Sequence, residues 1–113
     1  MMPGLRITYR GVTPTDAIDD YVRRRAEKLT RRGRTISSCR VVIDTPHRHK
    51  RHGRAYTVHI EVATAARRFV VDHAPGDGQG VEDLYAAIDA GFDHAVRRLD
   101  EDVARLAGSE RGS

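Results

Sequence analysis

Tryptophan is absent from this sequence, and the aromatics amount to four tyrosines and two phenylalanines in 113 residues. A core must therefore be assembled from Val, Ile, Leu and Ala. The 39% hydrophobic and 32% charged content suits a small folded protein and excludes a disordered one. The single cysteine, Cys39, rules out an intrachain disulfide and points to a reducing, cytoplasmic compartment. No apolar run approaches the ~20 residues that a membrane span requires. The start, MMPGLRITYRG, lacks the apolar stretch of a secretory signal. Internal repeats and domain-separating linkers are also missing, so residues 1–113 are expected to form one domain, with a core over about 5–106 and a frayed tail over 107–113.

What the chain does have is basic charge, unevenly placed. Residues 1–54 carry fourteen Arg or Lys against five Asp or Glu, a balance of +9, whereas residues 55–113 carry six against eleven, a balance of −5. Concentrated positive charge is the electrostatic footprint of a nucleic-acid partner. Eighteen of the twenty basic residues are Arg, which offers phosphates the bidentate contacts that Lys cannot.

Hydrophobic periodicity gives the element order. LRITYR (5–10) alternates apolar and polar positions as a half-buried strand does. TPTD (13–16) predicts a helix start, with Thr13 as cap, Pro14 at the first helical position and Asp16 completing an acidic capping box. Ile18, Val22, Ala26 and Leu29, with Tyr21 beside them, form an apolar stripe to about Arg32, and Gly33 is the expected stop. Strands follow at 36–44, 55–62 and 67–73, the last two joined by a tight link at Ala65 and Ala66. The Gly/Pro segment APGDGQG leads into a second helix from Val81 to about Leu106, striped by Leu84, Ala87, Ile88, Phe92, Ala95, Leu99, Val103 and Leu106. A right-handed crossover makes strands one and two parallel, and short connections make the rest antiparallel. The expected fold is α+β in two layers, β-α-β-β-β-α, a four-stranded mixed sheet with both helices on one face. The other face is left polar, with Arg10, Arg40, His59 and Arg68 on it.

Two segments concentrate the positive charge. HRHKRHGR (47–54) falls between strands two and three. Its His47, His49 and His52 lack the spacing of common zinc sites, and the intervening cations repel a metal. Arg48, Lys50, Arg51 and Arg54 suit phosphate contact from a loop tip, although a solvated turn accounts for the same residues. Seven basic residues lie between 23 and 34, among them Arg23, Arg24, Arg25, Lys28, Arg31 and Arg32, and Glu27 alone offsets them. Solubility is the bland explanation of a charged helix face, but ordinary surfaces intersperse the two signs. An RNA- or DNA-facing helix therefore fits the cluster better. Asp72, His73, Asp83, Asp89 and Asp93 show no spacing that singles out a nucleophile or a carboxylate pair, and GDGQG lacks the GxxxxGK[ST] of a phosphate loop. No catalytic residue, metal ligand or cofactor is expected.

The segments TPTDAIDDYVRRRAEKLTRR, ISSCRVVIDTPHRHKRHGRAYTVHIEV and EDLYAAIDAGFDHAVRRL occur in an order that resembles the ribosome hibernation-promoting factors, which include the ribosome-associated translation inhibitors. EDLYAAID (82–89) is the most specific of them. The resemblance implies the same strand–helix–three-strand–helix fold. It also implies binding to the small ribosomal subunit in the channel used by messenger and transfer RNA, through ribosomal RNA phosphates, silencing ribosomes in stress or stationary phase. By position it assigns RNA contacts to Arg24, Arg25 and Lys28 on the first helix and Arg97 and Arg98 on the second.

Departures accompany the likeness. His94 stands where the family has Lys, and Asp100, Glu101 and Asp102 stand where further Lys is usual, so the end of the second helix reads as acidic. The loop 74–80 is longer than in the shortest members. At 113 residues the chain resembles the short form, without the C-terminal domain that pairs ribosomes in long members. The expected partner is the small ribosomal subunit, with neither DNA nor membrane, and the protein itself is expected as a monomer or weak homodimer. The alternatives are an interaction module of the same fold that has lost ribosome binding, docking a basic partner through its acidic helix end, and a generic double-stranded RNA binder.

Overall fold

The computed structural model describes residues 4–32, 36–44, 56–65, 67–73 and 81–112. The order is β1 (Leu5–Arg10), α1 (Asp16–Arg32), β2 (Ile36–Asp44), β3 (Thr57–Thr64), β4 (Arg68–His73) and α2 (Val81–Gly112). The four strands make one sheet in the order β1-β2-β3-β4. β1 runs parallel to β2, and the other two pairings are antiparallel. This is the expected mixed sheet.

Alternation places every second side chain on the helix side. Cys39, Val41 and Ile43 of β2, Val58, Ile60 and Val62 of β3, and Phe69 and Val71 of β4 are buried there. Ile18, Val22, Ala26 and Leu29 of α1 close over them together with Leu84, Ile88, Phe92 and Leu99 of α2. Both helices thus lie on one face, because each has a single apolar stripe and the sheet has a single apolar face. Burial pushes the Cys39 thiol up to about 11, so the lone cysteine is an inert core residue.

α1 starts two residues later than expected. Thr15 caps it, its hydroxyl accepting from the Ile18 amide at 3.1 Å, and Thr13 and Pro14 precede the helix. After β1 the chain turns at Gly11 (φ 71°) and packs Val12 against the core. It must climb from the sheet layer before it can turn into a helix, which uses up Thr13 and Pro14. α2 continues six residues past its expected end, through Ala107 to Gly112. Its backbone ladder carries across Gly108 and Ser109, which the sequence suggested as a frayed tail. β3 spans 57–64 instead of 55–62 and is tied to β4 by the Thr64 amide donating to the Arg67 carbonyl at 2.7 Å. The expected stop at Gly33, the Ala66 half of the tight link and the loop 74–80 lie outside the described residues, as do the side chains of Val103 and Leu106.

Gly91 sets how closely α2 can approach the sheet. A Cβ there would sit 2.9 Å from Val58 Cγ1 and 3.2 Å from its Cβ. A β-branched atom of a buried strand residue has little room to move. Gly91→Val is expected to lower stability by about 1–3 kcal/mol, the usual loss on overpacking, measurable by urea denaturation.

Candidate nucleic-acid interface

α1 and α2 run side by side in the same direction. Tyr21 donates to Asp89, Arg25 to Asp93 and Arg32 to Asp100, each pair separated by 68 residues. A constant offset means parallel helices in register. The sheet requires this, since both helices leave the end of the sheet where β1 and β4 finish. Their acidic first turns, Asp16 and Asp19 on one and Glu82 and Asp83 on the other, lie at that shared end and complement the two positive helix termini.

The cross-helix pairs divide the basic cluster. Arg25 is the most sheltered of its members: its side chain is 20% exposed, it donates to Asp89 at 2.7 Å and to Asp93 at 2.9 Å, and its guanidinium stands 5.5 Å over the Phe92 ring. Arg32 grips Asp100 through two bonds of 2.9 Å. Arg23 donates to Asp19 at 2.7 Å, and the same carboxylate accepts the Tyr9 hydroxyl at 2.9 Å. Arg24 pairs with Asp20 at 2.8 Å on the open surface, where such a bond is easily exchanged. Lys28 and Arg31 are exposed and have no acidic partner among the described residues. Arg24, Lys28 and Arg31 follow steps of four and three, so they form one stripe. On α2, Arg97 is likewise exposed without an acidic partner among the described residues, Arg98 lies 5.0 Å over the Phe69 ring, and His94 is half-buried.

The acidic end of α2 is not the open patch its sequence suggested. Asp100 is taken by Arg32, and Asp102 is only 7% exposed and faces Arg67 at 3.3 Å and Arg105 at 3.8 Å. Glu101 alone of the three is exposed without a basic partner among the described residues. Arg67 belongs to the β3–β4 hairpin, so Asp102 pins the helix to that corner. A basic partner would find little free carboxylate here.

Arg48, Lys50, Arg51 and Arg54 lie outside the described residues. The roots of their loop, Asp44 and Tyr56, stand at the sheet end from which α1 departs, while Arg31 and Arg32 close α1 at the opposite end. Seventeen residues of helix separate these ends by about 25 Å. Asp44 and Tyr56 therefore stand at the opposite end of the sheet from the last turn of α1.

The hydrogen bond from Arg23 holds the Asp19 carboxyl below its ordinary value of 3.8, and that from Arg32 does the same for Asp100. A carboxylate depressed in the folded state contributes stability that is complete above 3.8 and is lost as pH falls through the depressed value. Melting temperature is expected to fall on acidification below about pH 4, and an Asp19→Asn, Asp100→Asn double variant should show a shallower fall in the same scan.

A two-layer α+β protein whose helix face carries cations without an acidic partner among the described residues belongs, by these features, to the class of small proteins that can meet a polyanion with a helix surface. The sequence profile of the Sigma 54 modulation protein / S30EA ribosomal protein family matches residues 5–107, and the chain belongs to that family. Membership makes it a ribosome-associated protein. Two solved structures share its fold. The Thermus thermophilus Protein Y N-terminal domain superposes with a TM-score of 0.66 at 24% identity, covering 85% of this chain and 93% of its own. A ribosomal subunit interface protein from Coxiella burnetii gives a TM-score of 0.69 at 13% identity, covering 88% and 97%. No curated protein sequence matches the chain. Among the described residues no helix is long and apolar enough to cross a membrane.

Proposed function

We propose that this protein is a cytoplasmic translation inhibitor that binds the small ribosomal subunit in the channel used by messenger and transfer RNA and silences ribosomes under stress. The family match over residues 5–107 carries this reading. The stripe of Arg24, Lys28 and Arg31, with Arg97 on the neighbouring helix, supplies the phosphate contacts. Arg25, sheltered, and Arg32, on the surface, brace α1 through their bonds to α2. The mechanism is occupancy: a rigid sheet-backed pair of helices fills an RNA-walled channel and excludes transfer RNA. No covalent step is involved. Shape selects the site, and counterion release from the phosphates supplies affinity that declines steeply with salt.

Co-sedimentation with purified small subunits across a salt series, with free duplex RNA as competitor, tests the reading. Pelleting at moderate salt that survives the competitor is the expected result. Pelleting that the duplex abolishes would make the protein a generic double-stranded RNA binder. Failure to pellet at any salt would overturn ribosome binding altogether.

A further inference from the structure

The outer surface between α1 and α2 is an open groove of about 560 Å³. Its charge is unlike that of a groove built for a phosphate ladder. Arg24, Arg25, Lys28 and Arg31 are answered by three carboxylates, Glu27, Asp89 and Asp93, which leaves a net charge of +1. A nucleic-acid backbone carries a dense row of negative charges and favours a uniformly basic track. A wall of cations facing a wall of acids suits a ligand with one anionic end and one hydrogen-donating end.

The acidic wall is well fixed. Asp89 and Asp93 stand four residues apart on one face of α2, and Arg25 reaches across to Oδ1 of each at 2.7 and 2.9 Å. The Tyr21 hydroxyl donates to Asp89 as well. Asp93 is 62% exposed, and its Oδ2 has no donor among the described residues. An ionised carboxylate accepts at about four positions, so Asp93 retains most of its capacity. A carboxylate held this way reads a pair of parallel N–H donors. Among the four RNA bases, guanine alone presents two adjacent donors, N1–H and the N2 amine, on its Watson–Crick edge. Adenine and cytosine set an acceptor beside their amine, and uracil flanks its one N–H with two carbonyls. Each would turn a lone pair toward the carboxylate.

We propose that the groove between α1 and α2 holds one unpaired guanine nucleotide, its phosphate on the Arg24–Lys28–Arg31 stripe and its Watson–Crick edge on Asp93. This rests on the ribosomal RNA reading and adds a base preference to it. Bases splayed from single-stranded RNA are commonly read on this edge.

Full-length protein is titrated by fluorescence anisotropy against four RNA hairpins with one stem and a single unpaired G, A, C or U in the loop. The guanine hairpin is expected to bind about tenfold more tightly, the effect of one charge-assisted hydrogen bond. Asp93→Asn keeps the acceptor that Arg25 uses and should abolish the preference, while Lys28→Gln should weaken all four hairpins alike. Guanosine monophosphate as competitor separates the sources: displacement at comparable concentration makes the groove a site for the free nucleotide, and none assigns it to RNA-borne guanine, and both results support the guanine site. Equal binding of all four hairpins by the unaltered protein, or a guanine preference that survives Asp93→Asn, overturns the proposal. Small subunits pelleted in parallel distinguish the two failures. Pelleting without base preference leaves the ribosome reading intact, whereas loss of pelleting removes that reading itself.

Discussion

Neutralising Lys28 and Arg31 together, as Lys28→Gln and Arg31→Gln, is expected to weaken small-subunit binding by about 10–100-fold at 0.1 M salt and to flatten the salt dependence by about two units of slope. Each phosphate contact contributes roughly 0.9 to that slope through counterion release, so two lost contacts account for both effects. The choice of residues follows from the ion pairs. Lys28 and Arg31 are exposed and unpaired among the described residues, and replacing them breaks no ion pair among those residues. Thermal stability should stay within about 0.5 kcal/mol of the parent, as for most surface changes. Arg25→Gln should behave oppositely. It strips Asp89 and Asp93 of their shared donor and uncovers the Phe92 ring, so a lower melting temperature is the expected primary effect. Equal loss of binding from both variants, with no difference in melting, would show that the ion-pair geometry does not sort the cluster.

Phe92→Ala is expected to cost about 3–5 kcal/mol, the usual range for deleting a fully buried phenyl ring. Phe92 is 0% exposed and belongs to the core cluster in which both helices close on the sheet. With an aromatic content of 5% and no tryptophan, the core has few large rings, and its remaining volume is aliphatic. Stiff β-branched neighbours on the strands collapse poorly into a cavity. A domain stable by ~5–15 kcal/mol would lose a large share of its margin, and the melting temperature should drop by more than about 10 °C. A change below about 1 kcal/mol would mean that α2 is not seated on the sheet as described.

Much of the fold was legible because its signals are local. LRITYR alternates, and Ile18, Val22, Ala26 and Leu29 recur at helical steps, so the face each element buries follows from its own residues. Strand and helix ends were less legible. TPTD points to Thr13 as cap, but Thr15 is chosen by the climb from sheet to helix layer, a requirement on distance that no local pattern carries. The resemblance to a ribosome-binding family was likewise readable from segments in order, and the profile match over 5–107 agrees with it.

The availability of the charges was not readable. Composition shows that the first half is basic and the second acidic, and the natural inference is that each sign faces solvent. The fold sets the two helices parallel and in register, so Arg25 and Arg32 meet Asp89, Asp93 and Asp100 across 64 to 68 residues of chain. A shared offset of 68 was present in the numbering, but it becomes a signal only once the helices are known to be parallel neighbours. The sequence by itself determined the elements, their buried faces and the family, because periodicity and turn chemistry act over a few residues. Only the tertiary structure decided which cations remain free for a phosphate, because Coulomb attraction depends on distance in space, and folding alone brings those charges within 3 Å.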